Sequence, residues 1–124
     1  YLGDYYTMNT PPEKYSEIKL KKTIGKPLKS ACVIALCLFD DPNISIPRWE
    51  QRAALACSVQ NMWLTCTSLG IGSYWSSPKS MINGGEFLGL AEHEECLGLF
   101  YMGYTDVANV PGNRGPIKDK IEWK

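Results

Sequence analysis

The apolar positions of the chain gather into dense runs separated by polar, Gly- and Pro-rich stretches. Ala31 to Phe39, ACVIALCLF, is continuously apolar between Lys29-Ser30 and Asp40-Asp41-Pro42-Asn43. Its length and flanks predict a central strand covered on both faces, and DDPN predicts a turn in which Asp and Asn bond their own backbone. Pro47 suits a first helical turn and Glu50 the positive end of a helix dipole, so a helix is expected from about here. Across Trp49 to Leu69, one face carries Trp49, Ala53, Ala56, Gln60, Trp63 and Thr67, and the next carries Leu55, Val59, Met62, Cys66 and Leu69. Apolar residues nearly surround it, which predicts burial on most sides. Ala53, Ala54, Ala56, Cys57 and Ser58 are small enough for another helix to approach closely. A subunit seam and an ordinary core helix explain that face equally well. Gly70 ends the helix as a left-handed cap would.

Ile71 to Ser77, IGSYWSS, predicts a brief strand opening into a loop closed by Pro78. Lys79 to Leu88 is a weak helical patch interrupted by Asn83-Gly84-Gly85. Cys96 to Tyr104, CLGLFYMGY, predicts a second buried strand in which Gly98 and Gly103 mark bends or close backbone approach. Upstream, Tyr1 to Pro12 reads as an irregular segment whose tyrosines pack on a neighbouring surface, such as a partner subunit. Glu13 to Lys22 reads as a short amphipathic helix broken by Gly25-Lys26-Pro27. After Thr105-Asp106 the Pro- and Gly-rich tail predicts an extended excursion ending in a short amphipathic piece with Ile117, Ile121 and Trp123. The order of strands and helices predicts an α+β or α/β layer of two or three strands, few enough that a missing upstream segment or a second chain is expected to complete it.

Composition narrows the class. With 124 residues and 44% hydrophobic content the chain fits one domain, 1–124, with a real core. Lys and Arg number 13 and Asp and Glu 13, so no net field steers the protein onto nucleic acid or an anionic membrane. No apolar run reaches the roughly 18 residues that a bilayer span needs. The five cysteines, Cys32, Cys37, Cys57, Cys66 and Cys96, show no C-x-x-C spacing and lie in apolar runs. They read as reduced core residues of a cytoplasmic protein. His93, the single histidine, sits among Glu92, Glu94 and Glu95 without metal-ligand spacing, which favours a solvated turn.

G-x-S-x-G, P-loop and G-x-G-x-x-G motifs are absent from the sequence, and no catalytic Cys-His pair is evident. Chemistry is therefore expected to belong to a cofactor that the protein positions. Two places suit one. Trp75-Ser76-Ser77 sets a flat ring, two hydroxyls and backbone N–H groups at a strand end, where a planar heteroaromatic edge could be hydrogen-bonded. Arg114 lies on a glycine-flexible loop suited to a bidentate phosphate contact. Core filler and a solvated loop cation are the plain alternatives for Trp75 and Arg114.

The run IPRWEQRAALACSVQNMWLTCTSLGIGSYW, with the apolar strand before it and ECLGLFYMGY after it, resembles the nitroreductase family, closest to its short members. That family shows a proline and W-E-Q at the helix start, an A-x-x-x-Q-N-L/M-x-L stretch, then G-L-G-x-x-W, and later a strand ending Y-x-G. The resemblance implies a three-layer α+β fold with a mostly antiparallel central sheet, flanked by helices and homodimeric. It implies FMN at the dimer interface and hydride transfer from NAD(P)H through the flavin to a nitroaromatic, quinone or similar acceptor. Trp75, Ser76 and Ser77 then take the place of the turn over the isoalloxazine edge, with Ser76 standing where the family usually has arginine. Arg114 matches the basic residue that meets the FMN phosphate. The family's N-terminal arginine-rich phosphate motif has no counterpart after Tyr1, so an N-terminal segment of the fold is expected to be missing. A non-enzymatic flavin-binding or dimeric interaction module on the same fold is the alternative.

Overall fold

The computed structural model describes residues 1–106 and 112–124. A sheet of three antiparallel strands forms its middle layer: β1 (Cys32–Phe39), β2 (Gly72–Ser76) and β3 (Glu94–Gly103), in the order β1-β3-β2. Helix α3 (Arg48–Ser68) covers one face. The other face carries α1 (Leu2–Asn9) and two single turns, α4 (Lys79–Ile82) and α5 (Gly85–Leu88), while α2 (Glu17–Leu28) packs on α1. The α+β expectation holds, with a wholly antiparallel sheet among the described residues.

Side chains along the strands alternate between two cores, as the pleat requires. Leu36 and Phe100 meet Val59 and Cys66 of α3, with Ile34 and Met102 at the margin. Leu99, Tyr101 and Cys96 meet Met81, with Val33, Ala35 and Leu2 beside them. The ACVIALCLF run feeds both cores, yet only Leu36 of β1 is buried and Cys32, Cys37 and Phe39 are exposed; β1 is an edge strand among the described residues, and the centre belongs to β3. A continuous apolar run reports that both faces of a strand are apolar; it carries no information about hydrogen-bonded neighbours.

Three further expectations are corrected. Residues 1–12 are not irregular, because tertiary contacts hold α1: the Tyr1 ring stacks on Phe87 with centroids 4.0 Å apart, and the Tyr1 hydroxyl donates to the Ser80 carbonyl at 3.0 Å. A Cβ on Gly3 would sit 2.8 Å from the Ile24 side chain, so Gly3 lets α1 and α2 approach closely. The next helix begins later than Glu13, at Glu17, where the Ser16 hydroxyl accepts from the Lys19 N–H at 3.5 Å. It runs through Gly25-Lys26-Pro27, because Pro27 lies in the last turn and forfeits a single ladder bond there. The third correction concerns α3, where only Val59 and Cys66 of 21 residues are buried, whereas Trp49 and Leu64 are 68% and 58% exposed and Leu69, just past the helix, 66%. Likewise Cys66 and Cys96 are core residues, but Cys32, Cys37 and Cys57 are exposed.

Other expectations stand. Gly70 follows α3 with φ +68°, the left-handed cap. The Asp41 carboxylate accepts from the Asn43 N–H at 2.8 Å in the DDPN turn. The helical patch after Pro78 divides at Asn83-Gly84 into α4 and α5. Residues 112–124 are all exposed and include a 3-10 turn over Ile117–Lys120; the first part of the expected tail excursion, residues 107–111, lies outside the described residues.

An ion-pair network that no sequence motif announced fixes the start of α3. Arg52 holds Glu95 through two hydrogen bonds of 2.8 and 2.7 Å, and Arg48 bridges Glu95 and Asp40 at 3.4 and 3.2 Å. Asp40 follows β1 and Glu95 lies in β3, so the network ties the helix to both strands. The hydrogen bonds from Arg52 hold the Glu95 carboxyl below the usual range, against the opposing effect of its partial burial. Its contribution to stability is full above the unfolded-state value of about 4.3 and is lost as pH falls through the lower folded value. Urea midpoints measured across the acid range should therefore show Glu95→Gln less stable than the parent near neutrality, with the difference closing at low pH.

Candidate functional site

The strand β2 follows the Gly70 cap and pairs with β3 from Gly72↔Gly103 to Ser76↔Leu99. Tyr74 points to the α1 side, where it stacks on Tyr101 with centroids 4.9 Å apart. Alternation sends Trp75 the other way, onto the core beneath α3. Ser77 and Pro78 then leave the sheet before α4.

What holds this turn is a bulge in β3. Leu36 pairs with Gly98 and Cys37 with Cys96, so Leu97 is the extra residue with no partner in β1. Its carbonyl accepts two hydrogen bonds, from Trp75 Nε1 at 3.1 Å and from Ser77 Oγ at 3.0 Å. Gly98 makes this possible twice over. Its φ of +134° is disfavoured for any residue with a Cβ, and a Cβ there would lie 2.5 Å from the Ser76 carbonyl oxygen and 2.6 Å from Trp75 Nε1.

The structure thus assigns different work to the three neighbours. The Trp75 ring is half-buried against the core beneath α3, and its N–H is committed to Leu97. The Ser77 hydroxyl spends its proton on the same carbonyl and keeps its lone pairs, while the Ser76 hydroxyl makes no hydrogen bond among the described residues. What the turn can offer a planar ligand is therefore its backbone and the two serine hydroxyls, the indole N–H being already spent. Leu97 and Gly98 are the residues that the sequence reading left out of the site; Gly98 was readable as a point of close approach, but its partner was not.

Arg114 lies in the exposed segment after residue 111 and makes no ion pair or hydrogen bond among the described residues. Within one chain, no hydrogen bond or ion pair joins it to the turn. The guanidinium is thus free to meet an anion, and the chemistry of this donor set fits a phosphorylated heteroaromatic cofactor. A cavity of about 540 Å³ elsewhere, lined by Leu2, Ile24, Leu28, Phe87 and Leu99, is apolar and shares no residue with the turn.

With this geometry in place, the chain can be set beside known proteins. The nitroreductase family model matches residues 9–104. The chain belongs to the nitroreductase family. It is similar to a nitroreductase-like family protein from Bacillus cereus, with 28% identity, a TM-score of 0.75, and coverage of 98% of this chain and 65% of that one. A nitroreductase family protein from Streptococcus pneumoniae TIGR4 shares the fold at a TM-score of 0.51 and 20% identity, over 98% of this chain and 57% of that one. The chain thus spans less than two thirds of the length of either solved relative. No curated protein matches it. The matched span contains the whole sheet, α2, α3 and the Trp75–Ser77 turn, and stops before Arg114.

Gly98→Ala should loosen the turn. Strain at φ +134° and the clash with the Ser76 carbonyl are expected to cost on the order of 2–4 kcal/mol. A lowered urea midpoint together with a red shift of tryptophan fluorescence would report Trp75 leaving the core.

Proposed function

We propose that this protein is an FMN-dependent oxidoreductase that takes hydride from NAD(P)H and passes it to a nitroaromatic, quinone or similar small acceptor. Family membership supports a flavin-dependent oxidoreductase in general. The observation that carries the finer reading is the pinned turn: two side chains donating to one bulge carbonyl hold the backbone of Ser76 and Ser77 rigid at a strand end. Such rigidity suits the edge of a planar ring, because donors that are already in place lose no entropy on binding.

In this reading the Ser76–Ser77 backbone and hydroxyls bind and orient the ring edge, and Arg114 meets the phosphate. When bound, FMN supplies the hydride-accepting and hydride-donating chemistry. The protein's share is to position, to exclude water and to hold the phosphate charge. No side chain of the turn is asked to act as acid or base, which agrees with the absence of a histidine from it.

A homodimer belongs to the same proposal. The unburied apolar side chains of α3, with Ala53, Ala54, Cys57 and Ser58 exposed beside them, form a helix face that a second copy would cover. The tail with Ile117 and Trp123, 71% and 90% exposed, could lie along that copy and bring Arg114 to its turn. Five cysteines free of disulfides suit the reducing cytoplasm proposed as its location.

Arg114→Ala is expected to weaken FMN binding by about 1.5–3 kcal/mol, the range for a hydrogen bond to a charged group. Fluorescence titration of the protein with FMN measures it; an unchanged affinity would remove Arg114 from the site. Turnover of NADH and NADPH by the FMN-loaded protein, with a quinone or nitroaromatic acceptor, tests the activity itself. Ala54→Arg places a charge on the exposed α3 face and should shift the mass found by light scattering from dimer to monomer.

A further inference from the structure

Two of the five cysteines face each other across the sheet. Cys37 and Cys96 are register partners in the β1–β3 ladder, at the point where the ladder shifts. Both point to the α1 side: Cys37 continues the alternation of Val33 and Ala35, and Cys96 belongs to the core on that side. Directly opposed residues of an antiparallel pair have Cα atoms roughly 4.5–5.5 Å apart, inside the range of about 4.4–6.8 Å that a disulfide spans. The two thiols differ in access. Cys37 is exposed on the edge strand, whereas Cys96 is 2% exposed and donates to the Gly98 carbonyl at 3.4 Å.

No other cysteine is placed this way. Cys32 has Met102 as its register partner, Cys66 meets the Met102 sulfur at 3.5 Å, and Cys57 lies on the exposed face of α3. The pairing also escapes a sequence reading. The two residues are separated by α3, β2 and two helical turns, and their apposition depends on the extra residue Leu97.

We propose that Cys37 and Cys96 form a reversible cross-strand disulfide when the protein meets a peroxide. Cys37 reacts first: its sulfur attacks hydrogen peroxide, one oxygen stays as the sulfenic acid and the other leaves as water. The Cys96 sulfur then attacks the Cys37 sulfur, the S–O bond breaks, and a second water departs. Overall two thiols and one hydrogen peroxide give one disulfide and two waters; the sulfurs lose two electrons and the peroxide gains them. Burial, then the neighbouring Cys96, push the Cys37 thiol up from its ordinary range, so the first step is slow at neutral pH and the second, between apposed sulfurs, is intramolecular. The closed bond ties the edge strand β1 to β3 beside Leu97, whose carbonyl pins the Trp75–Ser77 turn. The inference rests on the ladder alone and is independent of the flavin reading.

The test treats the full chain with excess hydrogen peroxide, blocks remaining thiols with N-ethylmaleimide, and maps tryptic peptides with and without dithiothreitol. The expected product links the peptide of residues 30–48 to that of residues 80–114, two hydrogens lighter than the pair, and dithiothreitol releases it. Because the first peptide also holds Cys32, Cys32→Ser should keep the link and Cys37→Ser should abolish it. Cys37 is exposed, so its loss leaves the core intact and the comparison valid. A link surviving in Cys37→Ser overturns the proposal, as does a Cys37 sulfinic acid beside a free Cys96. Peroxide-treated parent protein without the linked peptide overturns it as well.

Discussion

The Leu97 carbonyl is the point on which the rest of the molecule turns. At the one-residue bulge Leu97 has no register partner in β1, and its carbonyl accepts from both Trp75 and Ser77. Through those bonds the central strand fixes the stretch where strand, loop and the proposed ligand edge meet. Gly98 is required beside it, since any side chain there would collide with the Ser76 backbone. Directly upstream, Glu95 anchors α3 and Cys96 faces Cys37, so helix position, strand register and turn geometry are set within four consecutive residues of one strand.

The layers divide labour around that strand. The α1 side is packed by aromatic stacking and short helices around an apolar cavity that leaves Leu28 and Phe87 exposed. The α3 side is half-finished: the helix buries Val59 and Cys66 and leaves large apolar side chains in water. A domain in which a 21-residue helix buries so little of itself is poorly stabilised by its own core. This is the physical ground for treating dimer and cofactor site as one proposal, because the same missing surface would cover the helix and receive the tail that carries Arg114.

Patterns that arise from local chemistry were legible in the sequence. The Gly70 cap, the DDPN turn, the long helix from Pro47 and the strands at ACVIALCLF and CLGLFYMGY follow from backbone preferences and periodicity, and the structure contains all of them. The Trp75-Ser76-Ser77 turn was legible as a place, since a strand cannot end on Ser-Ser-Pro without exposing backbone. The family motifs from Pro47 to Trp75 were legible for the same reason: helix start, small-residue face and glycine stop keep a fixed spacing.

Long-range geometry was not. Helix α1 has no amphipathic signature and is held by distant contacts, among them Phe87, Ser80, Asn83 and Ile24; β1 looked central because its run is continuously apolar, while its hydrogen-bonding edge is open among the described residues. The same limit hid the Arg48–Arg52–Glu95 network, the double acceptance by Leu97 and the Cys37–Cys96 apposition, none of which joins near neighbours in the chain: Arg52 and Glu95 are 43 positions apart, and Leu97 lies 22 from Trp75 and 20 from Ser77. Sequence by itself determined which segments are helix, strand and cap, and which family they compose, because those depend on neighbours a few residues away. Tertiary structure alone decided that the Trp75 N–H is spent within the fold and that the turn is pinned at Leu97, since both depend on one extra residue in a strand 22 positions downstream.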